Sequence, residues 1–287
     1  MAQIDSTVRI AVLMTCFNRK KVTLSGLRSL ENAINIMGSN YSFDIYVTDD
    51  GSADGTAEAV CKDFPTVRVL KGSGELYWGG GMNNSWKVAV ESGNKYDFFL
   101  WFNDDSILYE DALEILFKSY SIAPFKPCII GGAFIDSNGN DSYGGLGKDF
   151  RRLSPYKPMS EIHIMNGNLV LIPSQIFDVL GYICHRYKHG LGDVDYGLRA
   201  TKYGFKVFLS TNYVGSSDRH DKDLAKFADS RIPLIRRMKV LYSVKFSPIT
   251  DFYFHKSHYG ILKAVRLFLG KNLFAMFPSI YQRRKSN

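Results

Sequence analysis

The chain has 287 residues, 45% of them hydrophobic, 14% aromatic, with a formal net charge of +8. That length suits one large α/β domain or a domain with an appendage. The positive balance fits an anionic ligand, a nucleic acid or an anionic membrane surface and does not choose among them. No run reaches the roughly 18 uninterrupted apolar residues of a spanning helix, and residues 1–7 are polar and lack a signal-peptide apolar region. The four cysteines, Cys16, Cys61, Cys128 and Cys184, form no Cys-x-x-Cys pair. We expect them reduced and buried, in a cytosolic protein.

In chain order, residues 8–14 form a short apolar run, a first strand. It ends in the polar turn Thr15-Cys16-Phe17-Asn18-Arg19. Residues 21–35 carry apolar side chains at helical spacing (Val22, Leu24, Leu27, Leu30). A second strand, 43–47, runs into Thr48-Asp49-Asp50-Gly51-Ser52, and a helix is expected from Thr56. A short third strand, 67–70, precedes a glycine-rich loop, 72–81, and a helix over 82–92. The aromatic run Phe98–Phe102 reads as a strand buried on both faces, ending in Asn103-Asp104-Asp105-Ser106. The plain structural alternative is that Asp-Asp-Ser caps a helix over 107–120.

Strand and helix alternate four times with short connections, which indicates an α/β sheet of Rossmann-like type. If the strands are parallel, the clusters 15–19, 49–54 and 103–105 converge on one sheet edge, where such folds bind ligands. Adjacent carboxylates repel unless a cation sits beside them. A hard divalent ion carrying a phosphate fits, because such ions take carboxylate plus substrate oxygens. Thr15–Arg19 holds no glycine, so a dinucleotide-binding Gly-x-Gly-x-x-Gly is excluded, and a P-loop is absent.

The combination resembles the family 2 glycosyltransferases of GT-A fold. The matching pieces are residues 8–19, Val47-Thr48-Asp49-Asp50-Gly51-Ser52-Ala53-Asp54-Gly55-Thr56, Gly79-Gly80-Gly81-x-Asn83-Asn84, Asn103-Asp104-Asp105 and Gly192-Asp193-Val194-Asp195-Tyr196-Gly197-Leu198-Arg199. They span about residues 8–220. Within the family the sequence looks nearest to bacterial enzymes of surface glycans, of the rhamnosyl- and galactofuranosyltransferase-like sort. The resemblance implies a mixed, mostly parallel sheet flanked by helices, with a catalytic domain over 1–223. Its donor half would be 8–106, its acceptor half 107–223, and 224–287 would form a basic helical extension.

The resemblance also implies site roles. Thr15, Phe17, Asn18 and Arg19 line the nucleotide of a nucleotide-diphosphate sugar, beside Asp49, and Asp50 accepts from the base. An Asp carboxylate reads uracil and thymine equally, so UDP and dTDP donors are not separated. Gly79, Gly80 and Gly81 pass over the sugar and diphosphate, and Asn83 and Asn84 open the next helix, whose N-terminus favours an anion. Trp78 faces a sugar ring or is buried under the loop. The family motif is Asp-x-Asp, but here Asn103 takes the first place. Asp104 then contacts the ribose, and Asp105 ligates Mn or Mg, with His220 as a further ligand or simply a surface residue. Asp193 is the catalytic base, Gly192 standing where the family has Glu. Asp195 is the second choice, and Arg199 has a structural ion pair as its plain reading.

The acceptor half carries Asn166-Gly167-Asn168, a polar approach to a strand or an ordinary turn. The acceptor is a surface glycan or a lipid-linked one. The basic apolar segment 261–277, followed by Arg283-Arg284-Lys285, can lie on an anionic membrane at the cytoplasmic face, or pack on the domain or on a second subunit as a homodimer. Two rivals stand beside a transferase. A sugar-nucleotide nucleotidyltransferase usually carries a glycine-rich basic loop after its first strand, unlike Thr15–Arg19. A nucleic-acid-binding protein is suggested by charge only, and no motif supports it.

Overall fold

The computed structural model describes residues 7–156, 159–219 and 226–281. The chain divides into two compact units: Met1–His185 with Gly192–Arg219, and Arg186–Leu191 with His220–Asn287. The first unit begins β1 (Val8–Cys16), α1 (Lys20–Ile36), β2 (Tyr41–Asp49), α2 (Thr56–Asp63), β3 (Arg68–Lys71), α3 (Tyr77–Glu91) and β4 (Phe98–Phe102). It continues with β5 (Ile107–Leu108), α4 (Ala112–Ile122), β6 (Cys128–Ile135), β7 (Gly145–Leu146), β8 (Ile164–Met165), β9 (Leu169–Pro173), α5 (Ser174–Leu180), α6 (Gly192–Lys202) and β10 (Lys206–Ser216).

Eight strands form one sheet in the order β3-β2-β1-β4-β9-β6-β10-β5, while β7 and β8 form a separate pair. Strands β3, β2, β1 and β4 are parallel to one another. Strand β9 runs antiparallel to both β4 and β6, and β10 is parallel to β6. The sheet is therefore mixed and mostly parallel, with flanking helices, as expected. The carboxyl ends of β1, β2, β3 and β4 lie on one edge. Because β9 is reversed, its amino end joins them there, with Phe102 opposite Leu169.

Two apolar layers hold the sheet. Leu100 and Phe102 of β4 pack with Leu27 and Leu30 of α1 and Leu113 and Leu116 of α4. Phe99 and Trp101 point the other way, with Met82 and Trp86 of α3 and Tyr196 of α6. Alternation with period two explains how one continuous aromatic run serves both faces. Trp86 is fully buried and contacts the rings of Phe99, Trp101, Phe177 and Tyr196. Most of the aromatic content near this sheet is core.

The structure departs from expectation in three places. Helix α3 begins at Tyr77, so Gly79, Gly80 and Gly81 are its first turns and not an open loop. The glycines fit there by size. A Cβ on Gly81 would lie 2.0 Å from the Thr15 hydroxyl. Ile107 and Leu108 do not continue a helix from Asp105. They pair with Gly215 and Ser216 of β10, and α4 starts only at Ala112, so the Asp-Asp-Ser run caps no helix. The cysteines are all free, but only Cys16 and Cys128 are buried. Cys61 is exposed, because α2 turns that side of the helix to solvent, and Cys184 is half-buried.

The second unit holds a 3₁₀ turn (Lys226–Ala228), α7 (Leu234–Leu241), α8 (Pro248–Tyr259) and α9 (Ile261–Met276). Its small core comprises Phe227, Ala228, Leu241 and Ala275. Buried Arg237 donates to the Ala275 and Met276 carbonyls at the end of α9. A cation placed there satisfies orphan carbonyls and meets the negative end of the helix dipole. Lys271 of α9 pairs with Asp251 of α8.

Candidate active site

The site begins with strand-end turns stitched to one another. Asn18 adopts φ +49, a left-handed conformation that Asn tolerates. Its N–H donates to Ser52 Oγ, and its Oδ1 accepts from Ala53 N–H. The turns after β1 and β2 thus form one surface. Phe17 lies on it with half its area exposed. Thr15 sits deeper, its hydroxyl donating to the Thr48 carbonyl.

Asp49 and Asp50 are both buried. Asp49 Oδ1 accepts from Ser52 N–H, whereas its Oδ2 is buried without a hydrogen bond. Asp50 accepts from Gly74 N–H with Oδ1 and from Tyr77 N–H with Oδ2, each at 2.8 Å. Asp50 therefore serves the first N–H of α3 from another strand end and places its charge at the helix's positive end. Each of its oxygens keeps a further lone pair for a ligand. Asn83 does not open α3. It lies in the second turn, and its side chain bonds both backbone groups of Ile183. Asn84 reaches the Thr48 hydroxyl.

After β4 the chain presents Asn103, Asp104 and Asp105. Arg19 spans the acidic pair, 2.8 Å from Asp105 Oδ2 and 3.5 Å from Asp104 Oδ1. Asp104 is buried and also accepts from the Thr23 hydroxyl at 3.0 Å. Burial pushes its carboxyl up to about 6; Arg19 opposes the rise and the charge of Asp105 adds to it. Asp105 remains partly exposed at the edge.

The raised Asp104 has a stability consequence. Between its unfolded value of about 3.9 and about 6, the folded state binds more protons than the unfolded one. Stability contributed by the protonated form is lost as pH rises through about 6. In Asp104→Asn the melting temperature should change less between pH 4 and 7 than in the parent. Equal pH slopes for the two proteins would remove Asp104 from this account.

The reversed strand β9 completes the site. Asn103 N–H donates to the Asn168 carbonyl, and buried Asn168 reaches the hydroxyls of Ser106 and Ser217. The Asn103 side-chain oxygen accepts from Trp78 Nε1 at 2.7 Å. Trp78 packs edge-on against Trp101 and is only half-buried. Gly167 lies against it: a Cβ there would come within 2.7 Å of the indole and 3.2 Å of the Asp193 Cβ. Gly167 N–H donates to Asp193 Oδ2 at 2.9 Å. Asp193, Gly167, Trp78 and Asn103 thus form one contiguous wall.

Asp193 and Asp195 are separated by environment. Asp193 is half-buried in the first turn of α6, and desolvation pushes its carboxyl above the usual range despite the N–H groups of Val194 and Gly167. Asp195 is buried and pairs with Arg199 at 2.8 Å. Arg199 also donates to the carbonyls of Leu180 and Tyr182, which makes the pair a structural clamp on α6. His220 lies outside the described residues. The sequence reading missed Gly167, Asn168, Ser106 and Ser217 as parts of one network; the run Asn166-Gly167-Asn168 was its only signal.

Residues 11–173 match the family model described as Glycosyl transferase family 2, more than half of the chain. The chain belongs to that family. A comparison with the curated proteins finds no match. Among solved structures, the transferase is similar to a mannosyltransferase from Pyrobaculum calidifontis in complex with GDP-Man and Mn2+. The TM-score is 0.56 and the identity 13%, over 90% of this chain and 73% of that one. It is also similar to S. aureus TarS 1-349, with TM-score 0.56 and 14% identity over 93% and 81%. The same protein in complex with UDP-GlcNAc gives TM-score 0.55 and 13% identity over 93% and 73%. At these identities the likeness is one of fold.

The donor set can be tested against a divalent cation. Among the described residues, no three His, Cys, Asp or Glu side chains are grouped to hold an ion. The described residues therefore offer no closed cage for an ion. Partly exposed Asp105 beside buried Asp104 fits the other mode, in which one or two carboxylates share a hard ion with substrate phosphates.

Proposed function

We propose that this transferase inverts the anomeric centre as it moves a sugar from a UDP- or dTDP-sugar to a surface glycan or lipid-linked glycan. The observation that carries the reading is the position of Asp193. A desolvated carboxylate from α6 is bonded to the Gly167 N–H, on the sheet edge that also holds Asp50 and Asp105. Donor and base chemistry then share one site.

In this reading Phe17 offers its exposed ring to the base, and Asp50 accepts from the pyrimidine N–H. Asp105 would hold Mn or Mg together with the diphosphate, and the bound ion would offset charge on the leaving group. Arg19, already beside Asp105, can contribute positive charge at the same place. The acceptor oxygen attacks the anomeric carbon as the bond to the diphosphate oxygen breaks. Asp193 takes the hydroxyl proton, and its raised basicity favours that transfer. Trp78 is placed to wall the donor sugar. The transferase portion is residues 1–223, donor half first, working on the cytoplasmic side. The rhamnosyl- or galactofuranosyl-like assignment rests on sequence resemblance.

A thermal-shift series with UDP, dTDP and GDP, each with and without Mn, tests the reading. A ligand confined to the folded state at a hundred times its Kd stabilises it by about 2.7 kcal/mol. UDP or dTDP should raise the melting temperature, and more so with Mn. A shift with GDP alone overturns the pyrimidine assignment, and no shift with any of the three overturns the donor site.

A further inference from the structure

We propose that the outward face of α9 docks on an anionic lipid bilayer. Leu262, Val265, Leu269, Leu273 and Met276 are all exposed. Their spacing, i, i+3, i+7, i+11, i+14, puts them on one side of the helix. The opposite side, Ala264, Phe268, Lys271 and Ala275, is the one turned into its own unit. Leu262 is 84% exposed, Leu269 54% and Leu273 44%, a continuous apolar stripe where single exposed leucines would need no explanation. At 1.5 Å per residue it runs about 21 Å.

Charge selects the occupant. Residues 220–287 hold fourteen Lys and Arg against four Asp and Glu, whereas residues 1–219 hold 22 against 24. The whole cationic excess of the chain thus lies in the segment that bears the stripe. Lys263 and Arg266 are exposed on α9 itself, flanking the leucines. A heptad-like stripe could also seat a second copy, but two such units would meet with like charge. An anionic headgroup layer offers opposite charge and an apolar interior together. Crossing is excluded for the described helices: none is long and apolar enough to span a membrane. The helix would lie flat, leucines inward and cations at headgroup level.

The test uses the full chain with vesicles of phosphatidylcholine alone, or mixed with phosphatidylglycerol. The parent should sediment with the mixed vesicles and far less with the neutral ones, and salt should weaken the binding. Leu269→Glu with Leu273→Glu should lower partitioning at least about tenfold. Lys263→Glu with Arg266→Glu should lower it comparably. All four residues are exposed and outside the donor site, so turnover on a soluble acceptor should stay at the parent level in both variants. Absence of binding to the mixed vesicles overturns the proposal, as does equal binding to both compositions. So does a parent that forms dimers abolished by the Leu→Glu pair while its vesicle binding is unaffected.

Discussion

Asp193→Asn is expected to lower turnover at least about a hundredfold while leaving donor affinity nearly unchanged, since a general base contributes roughly 10²–10⁴ in rate. The contacts proposed for the nucleotide and diphosphate come from the ends of β1, β2 and β4, and Asp193 comes from α6. Burial raises the Asp193 carboxyl, so the parent's turnover should fall on the acid side at a pH above the ordinary carboxylate range. The variant should lose that limb. One structural cost is expected: Asp193 accepts from both Gly167 and Val194, and an amide can accept with only one atom. A buried N–H left unpaired costs about 1–3 kcal/mol. The control is Asp195→Asn, which breaks the clamp with Arg199. It should lower the melting temperature and leave most of the turnover of the folded fraction. If Asp195→Asn is the inactive protein and Asp193→Asn works normally, the base is misassigned.

Asp105→Ala should abolish donor turnover, by at least about a hundredfold, because it removes the exposed carboxylate available to a diphosphate-bound cation. The fold should survive. Asp105 is partly exposed, it pairs with Arg19, and its charge adds to the cost of ionising Asp104. Loss of activity alone does not separate metal from charge effects. The second readout is therefore the Mn-dependent part of the nucleotide thermal shift, which should disappear in Asp105→Ala while the Mn-independent part remains. Full activity in Asp105→Ala, or an unchanged Mn dependence of the shift, sinks the assignment of Asp105.

The sequence alone determined which strand ends meet on one sheet edge. Apolar runs of strand length ending in polar turns make βα units, and parallel βα units must bring their strand ends to one edge. The strands at 8–14, 43–47 and Phe98–Phe102 needed nothing beyond local pattern, and all three lie side by side in the sheet. Local pattern failed where a distant residue set the outcome. Three glycines in a row look like loop, since each disfavours helix by about 1 kcal/mol. Helix α3 nevertheless starts at Tyr77, because Asp50 serves its first N–H and Thr15 leaves no room for a side chain at Gly81. Residues 107–108 look like the start of a helix, and pairing with β10 makes them a strand. Family resemblance ranked Asp193 before Asp195, but the difference between their surroundings was beyond the sequence. Two carboxylates two residues apart have the same chemistry until tertiary packing gives one an arginine and the other the Gly167 N–H. That difference in surroundings depends on β9 running antiparallel, which carries Gly167 to the sheet edge where Asn103 and Asp105 end their strand.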